Sequence, residues 1–337
     1  MTSTAPPTLE MVAAAAGVSR ATVSRVVNGS PKVSPHVVDA VNKAIVRLNY
    51  VPNRAARTLA SRQAMAIALL IPEDIGRFYS DPYFASVVKG ITQRLEPTDY
   101  VLNLLVSSSD PRHKTRRYLG GGTVDGALVV SHHAGDRDLI VLSDIVPTVF
   151  GGDPTTMLGL RERHYVDVDN VGGAQQATRH LIRLGRRRIG TVTGAMDMHA
   201  AAHRLTGWRQ VMAEAGLDDS AVAHGDFTGY GGAAAMRELL ARRPDLDAVF
   251  VANDLMARGA LITLGAAGRR VPTDVAVVGF DDSFAATNEP PALTTVRQAA
   301  DEMGWAMADM LLDLLADRNP QSRTRILPTT LVLRETA

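Results

Sequence analysis

The stretch TLEMVAAAAGVSRATVSRVVNG, residues 8–29, decides the fold of the N-terminal region. Leu9, Val12, Ala13 and Ala16 recur at i, i+3, i+4 and i+7, which predicts a helix with one apolar face, and Thr8 stands where its N-cap belongs. Gly17 stops that helix, Val18 plugs the turn, and Ser19 opens a second helix whose Val23, Val26 and Val27 point inward until Asn28-Gly29 ends it. A third helix follows Ser34-Pro35, with Val37, Val38, Val41, Ile45 and Leu48 on one stripe. Three short helices with a tight glycine turn between the first two describe a helix-turn-helix.

In that arrangement the second helix enters the major groove of duplex DNA with its N-terminal residues leading. Here these are Ser19, Arg20, Ala21, Thr22, Ser24 and Arg25. Arg20 and Arg25 carry the planar fork that pairs with guanine O6 and N7, which predicts a G-containing half-site. Ala21 is small enough to touch a thymine methyl, and Thr8, Asn28, Lys32 and Tyr50 complete the candidate contacts to phosphates or base edges. Charge agrees. Residues 1–62 hold eight Lys/Arg against two acids, a net +6, whereas the rest holds 28 against 33, a net −5. A basic module on a mildly acidic body suits a polyanion at one end.

Next comes Asn53-Arg54-Ala55-Ala56-Arg57-Thr58-Leu59-Ala60. Two helical turns after Pro52 are too short to be stable alone. They order if the Ala face meets a second copy and Arg54 and Arg57 meet phosphate, with Ala56 packing and Leu59 wedged between base steps in the minor groove. A plain linker over 53–63 explains the same residues.

The whole chain has 337 residues, 46% hydrophobic and 21% charged, which implies two or three soluble domains and excludes a disordered chain or a membrane bundle. Without Cys there is no disulfide, thiolate metal site or Cys nucleophile. MTSTAPPTLE has no basic region followed by an apolar one, so the expectation is a cytoplasmic protein with no membrane partner.

GVSRATVSRVVNG (17–29), VSP (33–35) and LNYVPNRAARTLAS (48–61) resemble the DNA-binding headpiece and hinge of the LacI family of bacterial repressors. The resemblance continues through YVDVDN (165–170), HLIRLGRRRIGTVTG (180–194), RLTGW (204–208), VANDLMARGAL (251–261), RVPTDVAVVGFDDS (270–283) and PPALTTVRQ (290–298). It implies an α/β protein: an all-α helix-turn-helix headpiece and hinge helix joined to a two-lobed, periplasmic-binding-protein-like core of Rossmann-like parallel sheets. The implied domains are the headpiece 1–52, the hinge 53–63, an N-terminal lobe 64–167 plus 298–325, and a C-terminal lobe 168–297 plus 326–337, with crossings near 168, 297 and 325. It also implies a homodimer on a near-palindromic operator, controlled by a small effector between the lobes, with Leu59 as the intercalating leucine and a flexible pyrimidine–purine step such as CG at the operator centre.

Apolar runs at 65–71, 100–106, 125–131, 147–151, 188–193, 247–252 and 275–280 alternate with helical patterns at 84–95, 170–184, 203–215, 231–242, 255–267 and 299–317, as parallel α/β sheets require. Ligands bind beyond the carboxyl ends of such strands. Those positions hold Phe78, Asp81, Tyr83, Ser131, His199, Arg204, Phe227, Asn253 and Asp281. Carboxylates, an amide, a guanidinium and aromatic rings together suit a pyranose, whose hydroxyls need fixed donors and acceptors and whose ring needs an apolar face. By resemblance Asp169, Arg204, Phe227, Asn253 and Asp281 match effector-contacting positions. Asp169 has a second reading as a helix N-cap, and Phe78, Tyr83 and Phe84 have one as lobe core. FYSDPYF (78–84), GDF (225–227) and Arg20-Ala21 resemble actinobacterial regulators responsive to cello-oligosaccharides, which points to a disaccharide such as cellobiose. Maltose-type, xylo-type and other β-glucosidic sugars stay open, as do induction and corepression. A purine corepressor and a sugar-transport protein are the rival readings.

His199 and His203 have i, i+4 spacing but lack the Glu of a zinc helix, so neither metal nor cofactor is expected. Gly120-Gly121-Gly122 precedes a strand rather than following one and reads as a turn. Asp281-Asp282 on a strand end point to opposite sides, so they are not a catalytic pair, and no enzyme is expected.

Overall fold

The computed structural model describes residues 7–27, 30, 32–50, 63–106, 112–318, 320 and 322–337. Asn28 and the hinge positions Asn53, Arg54, Ala56, Arg57 and Leu59 lie outside the described residues. The chain forms two compact units, Met1–Ala64 and Met65–Ala337.

In the first unit α1 (Leu9–Ala16) is capped by Thr8, whose side chain accepts from the Met11 amide, and stops at Gly17 in the left-handed region at φ +66. That backbone suits glycine because it has no Cβ. Helix α2 (Arg20–Val27) starts on Ser19, whose Oγ accepts from the Thr22 amide at 3.1 Å. Helix α3 (Pro35–Leu48) has Pro at its first position, where the missing N–H costs no bond. Val12, Ala13, Val23, Val41 and Ala44 form the buried centre, flanked by Leu9, Val18, Val26, Val27, Val37, Ile45 and Leu48. Arg47 ties α3 to α1 by donating to the Ala15 carbonyl at 3.2 Å. Tyr50 closes this core and is 7% exposed. Its ring is held by apolar packing.

The second unit contains two six-stranded sheets. The first comprises β1 (Ala66–Ile71), β2 (Val101–Val106), β3 (Gly126–Val130), β4 (Thr148–Gly151), β5 (His164–Val168) and β11 (Thr324–Leu327) in the order β11-β5-β4-β3-β1-β2, with parallel pairing throughout the described strands. The second comprises β6 (Ile189–Thr193), β7 (Val222–His224), β8 (Ala248–Val251), β9 (Ala276–Asp281), β10 (Thr294–Gln298) and β12 (Thr329–Val332) in the order β12-β10-β9-β8-β6-β7. There β12 runs antiparallel to β10 and the others are parallel. Apart from its last-joining strand, each sheet repeats the 2-1-3-4-5 winding of a doubly wound domain, which opens a crevice where the order reverses.

Helices cover both sheets because their strands are apolar on both faces; β1 and β3 are buried at every position. Helix α5 (Pro82–Leu95) and helix α13 (Ala300–Leu315) pack against each other over the first sheet, and Gly90 and Gly304 let their backbones touch. Helices α9 (Asn170–Arg183) and α10 (His199–Glu214) do the same over the second, with Trp208 fully buried beside Phe250 and Phe280. The chain passes from the first sheet to the second after Val168, returns after Gln298, and passes again at Pro328. The crossing expected near 325 thus falls later. Ile326 and Leu327 still pair with Asp167 and Val168, so they belong to the N-terminal lobe.

Candidate functional site

An open cleft lies between the two sheets of the second unit, lined by side chains of both lobes. Its walls come from the carboxyl ends of strands in both lobes. From the N-terminal lobe these include Arg77, Asp81 and Tyr83 after β1, Ser131 after β3, Gly151 and Gly152 at the end of β4, and Asp167 on β5, with Asn170 just past the lobe crossing. From the C-terminal lobe they include Met198, His199 and Arg204 after β6, Phe227 after β7, Asn253 after β8, Asp281 ending β9 and Gln298 ending β10.

Arg204, 4% exposed, is the most constrained of these side chains. Its Nε donates to Asn170 Oδ1 at 2.9 Å, Nη1 to the Ala252 carbonyl at 2.5 Å and Nη2 to Gln298 Oε1 at 3.4 Å. The guanidinium lies 3.6 Å above the Phe280 ring centroid and 3.6 Å from Asp281 Oδ1. A guanidinium has five N–H donors, so hydrogen-bonding capacity remains for a molecule in the cleft. Gln298 Nε2 donates to Asp281 Oδ1 at 2.5 Å. Burial pushes the Asp281 carboxyl well above its usual range, and the Arg204 charge opposes that push.

Asp281 and Asp282 both have positive φ, +115 and +56, a conformation that costs on the order of 1–3 kcal/mol outside glycine. Polar contacts hold them there. Asp282 does not line the cleft and pairs with Arg297 at 2.7 Å and Arg334 at 2.5 Å, whereas Asp281 faces Arg204 and Gln298. Asp254 is structural: it accepts from Thr295 Oγ1 at 2.6 Å and from the Ser283 amide at 2.8 Å. Burial lifts its pKa to about 7.

Phe227, at φ +68, presents its ring against Gly194, where a Cβ would stand 2.0 Å from Cζ. The Arg77 guanidinium lies 5.5 Å from the ring centroid. Asn253 caps α12 (Asp254–Ala266), accepting from the Met256 amide at 2.9 Å while donating to the Phe227 carbonyl at 3.0 Å. Asp81 caps α5 through the Tyr83 amide, and burial raises its pKa. Burial likewise raises that of Tyr83. The Ser131 hydroxyl donates to Glu73 Oε1 at 2.5 Å.

Of the ten cleft residues expected, eight line the cavity: Asp81, Tyr83, Ser131, His199, Arg204, Phe227, Asn253 and Asp281. Two are corrected. Asp169 is exposed, and its Oδ1 accepts from the Gly172 amide at 2.8 Å, capping α9; the helix end takes the carboxylate, and the flanking Asp167 and Asn170 face the cavity instead. Phe78 packs beside Phe84 on the core of the N-terminal lobe and does not line the cavity. Arg77, Asp167, Asn170 and Gln298 were missed. Strand alternation across YVDVDN would have pointed to Asp167, and Gln298 stands at a lobe crossing.

On the headpiece, Thr8, Ser19, Arg20, Ala21, Arg25 and Lys32 are exposed, and Thr22 and Ser24 half-buried. Ser19 and Thr22 share a hydroxyl hydrogen bond of 2.9 Å. Arg20 Nε lies 3.1 Å from Glu10 Oε1 in a solvent-exposed pair, an interaction weak enough to yield to a base edge.

Together, a helix-turn-helix unit and a two-lobed ligand-cleft unit define a ligand-responsive DNA-binding regulator. Residues 8–53 match the model for bacterial regulatory proteins of the lacI family, and residues 178–337 match a periplasmic binding protein-like domain. The chain is 47% identical to the HTH-type transcriptional regulator CelR of Thermobifida fusca over 98% of both chains. Among solved structures it is similar to a transcriptional regulator CelR–cellobiose complex, at 44% identity and a TM-score of 0.78, covering 98% of this chain and 100% of that one. It also matches a lac repressor dimer bound to operator and the anti-inducer ONPF, at 29% identity and a TM-score of 0.86, covering 98% and 99%. The chain belongs to the lacI family of bacterial regulatory proteins.

Proposed function

We propose that the chain is a cytoplasmic, homodimeric transcriptional repressor that grips a near-palindromic operator and releases it when a β-linked glucose disaccharide such as cellobiose fills the cleft. The observation that carries the sugar reading is the cleft wall: a fixed guanidinium, an amide and carboxylates for hydroxyls, with Phe227 and Tyr83 as apolar platforms. Likeness to a CelR–cellobiose complex supports that choice of sugar, and likeness to an operator-bound lac repressor dimer supports the two-fold assembly. The relatives are regulators, not enzymes, and among the described residues no helix is long and apolar enough to cross a membrane.

A sugar shifts operator affinity only through different affinities for the two protein states. Titrating a full-length protein–operator complex with cellobiose, maltose and xylobiose in a gel-shift assay is expected to release DNA with cellobiose first. Tightening by the sugar would reverse the sign to corepression, and no effect from any of them would sink the sugar reading.

Arg20, Ala21 and Arg25 are the proposed base readers, with Thr8, Ser19, Thr22, Ser24 and Lys32 holding the backbone; the hinge positions Asn53 to Leu59 and Asn28 join them on the resemblance alone. Arg20→Ala is expected to relax base choice at one position per half-site, at a cost of about 1–3 kcal/mol for each half-site's guanine contact. Affinities for operators substituted one position at a time check this; equal loss on every sequence would make Arg20 a phosphate contact.

A further inference from the structure

We infer that the segment Asp197–His199 of the C-terminal lobe is a latch that fastens the two lobes in the arrangement of this structure, with Asp197 and His133 as positioning residues that touch no effector. The effector in question is the sugar proposed above, and the latch rests on that reading only for its consequence.

Three consecutive residues reach across to the N-terminal lobe. The Asp197 carbonyl accepts from the Ala134 amide at 2.9 Å, and Asp197 Oδ2 lies 2.9 Å from His133 Nδ1. Met198 Sδ accepts from Arg77 Nη2 at 3.8 Å. His199 reaches deepest: Nε2 stands 3.4 Å from Asp167 Oδ2, and the ring stacks on His132 with centroids 5.3 Å apart. Gly152 makes room for it. A Cβ there, at φ +101, would stand 2.0 Å from His199 Cε1.

The charges around His133 make the latch ionic. Its Nε2 lies 3.1 Å from Oε1 of the buried Glu73, which also receives Arg77 Nη1 at 2.7 Å and the Ser131 hydroxyl. Asp136 accepts from the His133 amide at 2.7 Å. His132, the neighbouring ring, is held neutral by burial, its pKa pushed down to about 3. Three carboxylates, Glu73, Asp136 and Asp197, thus face one arginine and His133. Glu73 foremost, then Asp197, lift the His133 pKa to about 9 against the opposing effect of burial. Near neutrality both ring nitrogens carry protons, and each donates to a carboxylate from a different lobe. Glu73 stays with His133 when the lobes part, so the latch's own share is the Asp197 contact: it is present while the ring is protonated and is lost as pH rises through about 9.

Asp197 and His133 do not line the cavity, so an effect of either on the sugar is transmitted through lobe position. The test compares full-length wild type with Asp197→Asn, which keeps the shape and removes the charge, and with His133→Gln. Cellobiose affinity by calorimetry is expected to weaken about three- to tenfold in Asp197→Asn, since Asp197 is about half exposed while His133 is largely covered. The double variant should lose no more than either single one. Wild-type affinity should fall as pH rises through about 9, with a flatter profile in both variants. Hydrogen exchange at Ala134, whose amide bonds to Asp197, should speed up about as much. Unchanged affinity and unchanged exchange in Asp197→Asn would overturn the latch. If wild type binds no cellobiose, the sugar reading fails, and the exchange result alone decides the latch.

Discussion

Arg204→Met is expected to abolish the sugar response, weakening effector binding at least about a hundredfold while the repressor stays on its operator at sugar concentrations that release the wild type. The reason is the number of groups one side chain satisfies. Arg204 supplies hydrogen bonds to Asn170, the Ala252 carbonyl and Gln298, and faces Asp281 at 3.6 Å. Losing the guanidinium donors left for the sugar costs binding about 1.5–3 kcal/mol per charged hydrogen bond, each 1.4 kcal/mol is about tenfold in affinity, and leaving Asp281 uncompensated typically costs about 3–5 kcal/mol more. Part of that loss falls on the fold, since Arg204 also packs on Phe280 in the core of the C-terminal lobe. Adding Asp281→Asn separates the two. The double variant should regain thermal stability, because no buried carboxylate is left facing an absent guanidinium, yet still fail to bind sugar. Calorimetry, gel shift and thermal melting on both variants check this. Sugar affinity within a few-fold of wild type in Arg204→Met would remove Arg204 from the site.

Arg204 also shows what a sequence can reveal. The headpiece was legible almost to the residue because its signals are local: Thr8 and Ser19 cap adjacent helices, and Gly17 takes the one conformation that penalises a side chain. The packing of the Tyr50 ring was not legible, because burial is a tertiary fact and nothing in its neighbours says that the ring turns inward. In the body, long apolar runs gave β1, β3 and β9 within a residue or two. Strand β10, written TTVRQ, β11 and β12 carried too few apolar residues to be singled out as strands, although their sheets bury most of β10. The short helices Ile75–Ser80, Lys114–Gly120, Asp138–Leu142 and Pro154–Leu158 are too brief for a period to emerge. The cleft was legible where a polar residue stands at a strand's carboxyl end, as with Asn253, two residues past β8, and Asp281, the last residue of β9. It failed at Asp169, where two uses of one carboxylate compete and the free amides of a helix start won. The meeting of His133 with Asp197, 64 positions apart, depends on the register of two lobes and leaves no local trace.

Deleting the first 64 residues is expected to abolish specific operator binding and leave sugar binding within about twofold of the full chain. Each unit has its own apolar core: Val12, Val23 and Val41 centre the first, and the cores of both lobes lie wholly within Met65–Ala337. Every residue lining the cleft also lies there, so the truncated body keeps the groups that hold a sugar. What it loses is the basic module. Residues 1–62 carry a net +6, and the residues left behind carry a net −5, which repels a phosphate backbone. Binding to duplex DNA draws on counterion release, about 0.9 in the slope of log affinity against log salt for each phosphate neutralised, and a body of net negative charge has little to release. Gel shift at low and moderate salt should show operator retention by the full chain alone, with a steep salt dependence, while calorimetry finds the same sugar affinity in both proteins. A truncated body that held the operator as firmly as the full chain would place the DNA contacts outside the helix-turn-helix. A body that folded but lost the sugar would mean that the cleft is completed by the headpiece, contrary to a lining drawn entirely from residues 77–303.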